Sequence, residues 1–139
     1  MSRIYIGIDP DVEASGFALF KNQLLVDLKK MDLFELCEAL SSYHISHDVL
    51  VRLEAGWLIK GNWHRGGSRR SGSSVGRNHE IGRQIEKYCI KHSIPYQLVK
   101  PQGYSSYTHE RFCKLTGWPL KSKTNSETRV AAMMVYGFI

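Results

Sequence analysis

Three carboxylates stand where phosphodiester chemistry could be done. Asp9 closes the apolar run RIYIGID (3–9), just before a Pro turn. Glu54 closes a second apolar run, HDVLVRLEA (47–55). Glu127 lies at the start of an apolar helical pattern, SETRVAAMMVYG (126–137). If the two runs are neighbouring strands, Asp9 and Glu54 share one sheet edge, and in open α/β sheets ligands bind at the strands' carboxyl ends. Two close carboxylates repel, so a divalent cation between them is favoured. Mg²⁺ takes oxygen ligands and keeps several waters. Two such ions about 4 Å apart can activate a water and stabilise a leaving oxygen. The ordinary readings weigh against each residue alone. An Asp before Pro forms turns, a Glu at a strand end is solvated, and Thr124-Asn125-Ser126-Glu127 reads as a capping box.

The elements around these residues are legible from periodicity. GFALFK (16–21) and QLLVDLKK (23–30) follow the first strand, with Lys21-Asn22 as a tight reversal, so the first three strands predict an antiparallel meander. MDLFELCEALSSYHI (31–45) predicts a helix, capped by Asp32 with Glu35 as its partner. Leu33, Leu36, Cys37 and Leu40 form its apolar face. The fourth strand (47–55) is apolar nearly throughout, as central parallel strands are. A helix over 80–94, a strand over 95–101, a short helix over 108–117 and a final helix from about 126 complete the order. The expectation is one α/β domain over 1–139 with a mixed five-stranded sheet, three antiparallel strands followed by parallel crossovers, and helices on both faces. That order is the ribonuclease H-like arrangement.

Charge is concentrated in one segment. The 139 residues carry a net +6 and 42% hydrophobic residues, which suits a globular chain with a polyanionic partner. Between Glu54 and Glu80 no acidic residue occurs, while Lys60, Arg65, Arg69, Arg70 and Arg77 do, with His64 and His79. The stretch GWLIKGNWHRGGSRRSGSSVGRN (56–78) predicts a long functional loop. Its arginines would grip phosphates and its glycines let backbone approach. Trp57 and Trp63 could stack at a branch point. His64 or His79 could assist proton transfer, although surface histidines are common. Tyr104 and Tyr107 could stack on unpaired bases or pack their loop. No run approaches the roughly 18 apolar residues of a membrane span, and MSRIYIGIDP has no signal-peptide h-region. Cys37, Cys89 and Cys113 are odd in number and far apart, which points to core fillers in a reducing compartment.

Five segments in order resemble RuvC-type Holliday junction resolvases of the phage and prophage branch. IGIDPDVEASGFALF resembles the first motif, with Asp9 as its aspartate, and VRLEAGW the second, with Glu54. GRNHEIGRQIEKYCIKHSIPYQLVKP, THERFCKLTGW and KTNSETRVAAMMVYG resemble the segments that follow. The resemblance covers nearly the whole chain. It implies a ribonuclease H-like homodimer that nicks four-way or other branched DNA with Mg²⁺, or Mn²⁺, held by Asp9, Glu54 and Glu127. It implies no small-molecule cofactor, no membrane, and the cytoplasm of a bacterium or phage-infected host. Lys60, Arg65, Arg69, Arg70, Arg77, Lys121 and Lys123 would contact DNA.

Two departures stand out. The branch's last motif reads Asn-x-Glu-x-Arg-Asp-Ala-Ala. Asn125, Glu127, Arg129, Ala131 and Ala132 match, and Val130 stands at the aspartate. Valine brings no ligand, which leaves three readings: a weakened or inactive nuclease that still binds branched DNA, replacement by Asp11 or Ser126, or a variant of an active parent. After Lys100-Pro101 the chain is also shorter and less basic than the branch, with Lys121 and Lys123 as partial compensation. A non-catalytic binder of branched nucleic acid is the main rival. An actin-like ATPase would need two lobes and a longer chain.

Overall fold

A computed structural model describes residues 3–59 and 69–139. The elements run β1 (Arg3–Asp9), β2 (Ser15–Lys21), β3 (Leu24–Met31), α1 (Leu33–Ser46), β4 (Asp48–Glu54), α2 (Arg69–Lys91), β5 (Tyr96–Val99), α3 (His109–Thr116) and α4 (Ser126–Tyr136). The five strands form one sheet in the order β3-β2-β1-β4-β5. The pairs β1–β2 and β2–β3 are antiparallel, and β1–β4 and β4–β5 are parallel. This is the α/β, ribonuclease H-like order expected from the pattern. Between β2 and β3 the turn is Asn22–Gln23, both with positive φ (50° and 66°), the conformation that two-residue hairpin loops require.

Strand alternation divides the core between the two sheet faces. Ile4, Ile6 and Ile8 of β1 and Val49, Val51 and Leu53 of β4 pack with Leu36 and Leu40 of α1 and Ile85 and Cys89 of α2. On the other face Ala18 and Phe20 of β2 meet Phe112 and Cys113 of α3 and Ala131, Ala132, Met133 and Val135 of α4. Cys89 and Cys113 are buried and all three cysteines are free. Burial pushes the Cys89 thiol up to about 12. The cysteines therefore fill space as the pattern indicates.

Helix α4 lies unusually close to the sheet. A Cβ on Gly7 would sit 1.9 Å from the Ala131 carbonyl oxygen, and one on Gly16 2.2 Å from that of Glu127. Both glycines are therefore contact surfaces for helix backbone. Val130 to Val135 are all buried, and Arg129 ties the helix start to its surroundings by donating to the Tyr107 carbonyl (2.9 Å) and the Thr124 hydroxyl (2.8 Å).

Two local expectations are corrected. Helix α2 begins at Arg69, so residues 69–78 of the segment read as loop are its first turns. Gly72, Ser73, Ser74 and Gly76 are poor helix formers, so propensity alone does not mark this start. The start of α4 is capped by Asn125, whose side chain accepts from Thr128 N–H (2.9 Å), while the Thr128 hydroxyl accepts from Asn125 N–H (3.2 Å). The box is thus Asn125/Thr128, which leaves the Glu127 carboxylate out of the cap. The capping box of α1, Asp32 with Glu35, is as expected.

Candidate functional site

Asp9 and Glu54 end neighbouring parallel strands, one position beyond the Ile8–Leu53 pair. Ile8 and Leu53 point into the α1–α2 core, so by alternation both carboxylates emerge on the α4 face. They are close enough that each shifts the titration of the other. Burial pushes the Asp9 carboxyl well above the usual carboxylate range, helped by the charge and hydrogen bond of Glu54 and the charges of Glu127 and Asp11. Glu54 is also raised, chiefly by burial, against the opposing effect of its bond to Asp9. Glu54 makes the charge of Asp9 costly and burial makes both charges costly, so the pair holds a proton or welcomes a cation.

Glu127 comes from above, in the first turn of α4. Burial would raise its carboxyl, but hydrogen bonds from Ser126 and Lys30 outweigh this and hold it below the usual range. Lys30 Nζ lies 3.1 Å from Oε1, and the Ser126 hydroxyl donates to Oε2. Glu127 is thus within electrostatic reach of Asp9, yet its side chain is engaged by Lys30. Among the described residues no three His, Cys, Asp or Glu side chains are grouped so as to hold a metal ion.

Val130, one turn after Glu127, is 4% exposed. With Asp9 and Glu54 it lines a cavity of about 270 Å³. The two residues considered as replacements for it have partners of their own. Asp11 Oδ1 accepts from Glu13 N–H at 2.9 Å, and the Ser126 hydroxyl serves Glu127.

The remaining walls come from α2 and from the loop after β5. Asn78 and His79 of α2, Trp57, and Pro101 and Tyr104 also line the cavity. Asn78 Oδ1 accepts from Val12 N–H at 2.7 Å, which pins α2 to the β1–β2 turn. A Cβ on Gly82 would lie 2.3 Å from the Trp57 ring, and one on Gly56 2.7 Å from His79 Nε2. The rings of Trp57 and His79 meet edge to face at 6.1 Å. These interlocked pairs hold the middle of α2 beside the carboxylates.

The basic residues expected to contact DNA are placed unequally. Arg69 and Arg70 fall in the first turn of α2 and Arg77 is exposed two turns on, a stretch that leads to the cavity wall at Asn78. Lys121 and Lys123 are exposed in the α3–α4 connection, away from the cavity lining. Lys60, Trp63, His64 and Arg65 lie outside the described residues. Tyr107 packs edge to face on Tyr104 (5.6 Å) and under the Arg111 guanidinium (4.0 Å), so its ring is used for loop packing. No local signal in the sequence marks Lys30 or Gly16. Only the β2–β3 register brings Lys30 beside Gly16 and thus to Glu127.

No protein-family model matches the chain, and no curated protein does. Solved structures do. The fowlpox virus Holliday junction resolvase superposes with a TM-score of 0.55 at 13% identity, over 98% of this chain and 99% of that one. The chain has a RuvC-type fold. Thermus thermophilus RuvC in complex with a Holliday junction substrate gives a TM-score of 0.52 at 10% identity, over 97% and 96%. A second Thermus thermophilus RuvC structure gives 0.50 at 13%, over 92% and 88%. In this RuvC-type fold Asp9 and Glu54 stand at the carboxyl edge of the two central strands, under the first turns of α4.

Proposed function

We propose that the chain is a metal-dependent endonuclease of branched DNA, four-way junctions included, built as one nuclease domain over 1–139 and working as a homodimer. The observation that carries this is the half-buried Asp9–Glu54 pair, two carboxylates at the edge of adjacent parallel strands, in a fold shared with Holliday junction resolvases. The donor set fits a hard divalent cation such as Mg²⁺ or Mn²⁺. Both are oxygen donors from rigid strand ends, and a cation would offset the burial that raises both groups and the neighbouring charges that raise Asp9 further. Asp9 and Glu54 would hold the ion, with Glu127 beside it. When bound, such an ion supplies an activated water and charge neutralisation at a scissile phosphate.

The chain's own residues account for the rest of the task. Burial of Asp9 lowers the local dielectric and strengthens every charge interaction at the site. Lys30 and Ser126 fix the rotamer of Glu127. Arg69, Arg70 and Arg77 on α2, with Lys60 and Arg65 before it, would grip the DNA backbone, and Lys121 and Lys123 would add contacts beyond the site. Phosphate contacts of this kind position a duplex without reading its sequence, which suits recognition by shape.

One observation favours a second reading, a non-catalytic binder of branched DNA. Val130 lines the cavity where an oxygen donor would complete the site, and Glu127 is paired with Lys30. Nicking of a labelled four-way junction, with Mg²⁺ and with Mn²⁺, separates the two. The protein is run beside Glu54→Gln and Val130→Asp, with binding followed at one fixed salt concentration. Cutting that Glu54→Gln abolishes establishes the nuclease. Cutting by Val130→Asp alone identifies the right site in a disabled chain. Junction binding by all forms with no cutting by any selects the binder.

A further inference from the structure

A single row of residues crosses four strands beneath the start of α4. Lys30 of β3 is paired with Gly16 of β2, and Gly16 with Asp9 of β1. Glu54 of β4 follows, one position past the Ile8–Leu53 pair. Directly paired residues point to the same side of a sheet. Lys30 and Asp9 therefore flank a gap left by the missing side chain of Gly16. The backbone of Glu127 sits in that gap, its carbonyl oxygen 2.2 Å from where a Gly16 Cβ would be. From there the Glu127 side chain takes the ammonium of Lys30 at 3.1 Å.

Charge and donor count then limit what the site can hold. Asp9, Glu54, Glu127 and Lys30 together carry two negative charges, which one divalent ion neutralises, and Asp11 acts on the site only from the more distant β1–β2 turn, as the smallest of the charges on Asp9. Two divalent ions about 4 Å apart repel strongly and need further anionic donors. Val130 provides none, and Asp9 and Glu54 are the acidic residues among the described ones that line the cavity.

We infer that Lys30 is the second cation of this site, a positioning residue that holds Glu127 by an ion pair and restricts the Asp9–Glu54 pair to one divalent ion. The inference rests on the nuclease reading above, and deepens it by fixing the number of ions and naming what stands in for the other.

Mn²⁺ binding to the full chain, without DNA and near neutral pH, tests it by calorimetry and by the paramagnetic signal of free Mn²⁺. The protein is expected to bind one Mn²⁺ per chain, and Glu54→Gln to bind none. Lys30→Gln should tighten Mn²⁺ binding roughly tenfold, since it removes a positive charge beside the site, and should admit a second ion at Glu127. Lys30→Arg, which keeps the charge, should behave as the parent. The side chain of Lys30 is 36% exposed, so these substitutions leave the core intact. Two equivalent Mn²⁺ per chain in the parent, or no change of affinity in Lys30→Gln, overturns the role of Lys30 while leaving the nuclease site standing. Absence of any Mn²⁺ binding overturns both.

Discussion

Gly16→Ala should damage the site more than any other single-methyl change in the sheet. The added Cβ would lie 2.2 Å from the Glu127 carbonyl oxygen, 2.4 Å from its carbon and 2.9 Å from Thr128 nitrogen. All three are backbone atoms at the start of a helix, so no rotamer relieves the contact. Ordinary contact begins at 3.4 Å, and the first turn of α4 must therefore rise by roughly 1 Å. Forced overpacking of this kind costs about 1–3 kcal/mol, which for a chain of this size lowers Tm by about 3–10 °C. The same shift carries Glu127 away from Asp9 and Lys30. A displacement of about 1 Å at a reacting centre can cost about 100-fold in rate. Gly7→Ala is the control. Its Cβ would meet Ala131 oxygen at 1.9 Å, under the next turn of the helix, where the loss of stability should be similar or larger. Thermal unfolding and Mn²⁺ affinity are measured for both variants. Gly16→Ala should lose Mn²⁺ affinity out of proportion to its loss of Tm. A Gly16→Ala protein with unchanged Tm and unchanged Mn²⁺ binding would refute the claim that helix backbone rests on this glycine.

The carboxylates should leave opposite marks on pH dependence. Asp9 and Glu54 have raised folded pKa values, so in metal-free protein their contribution to stability is greatest below the usual carboxylate range and is lost as pH rises through the raised values. Glu54→Gln should therefore raise the metal-free Tm near neutral pH by about 3 °C, and a fall in Tm would contradict the repulsion. Glu127 is depressed, so its contribution is present above the usual carboxylate pKa and is lost as pH falls through the lowered one; Glu127→Gln should lose stability near neutral pH and little at low pH, as urea unfolding at several pH values will report. Excess Mn²⁺, at about 100 times its Kd, should stabilise the parent by about 2.7 kcal/mol, and Asp9→Asn should not respond. Arg77→Gln should weaken junction binding uniformly across sequences and reduce the slope of log affinity against log salt by about one, read by titration at several salt concentrations.

The strands, the carboxylates that end β1 and β4, and most helix boundaries follow from periodicity because each is a local property. Ile4, Ile6 and Ile8 alternate, Asp32 and Glu35 cap α1, and Pro95 and Pro101 bracket β5. The start of α2 was hidden because its first turns are rich in Gly and Ser, which are poor helix formers. The true cap of α4 was hidden by a shift of one residue, since Thr124 and Asn125 can both cap and only Asn125 does.

The sequence by itself determined that Asp9 and Glu54 each end an apolar strand, and the β1–β4 pairing then set them on a common edge. It also determined that residue 130 is apolar. What the valine and its neighbours do was decided by tertiary structure. Lys30 and Glu127 are 97 residues apart, and nothing local marks them as partners. Their ion pair exists because the β2–β3 register sets Lys30 beside Gly16, and because glycine there lets α4 lie on the sheet. Register and close backbone approach are properties of two segments at once, so the spacing of residues within either segment carries no trace of them.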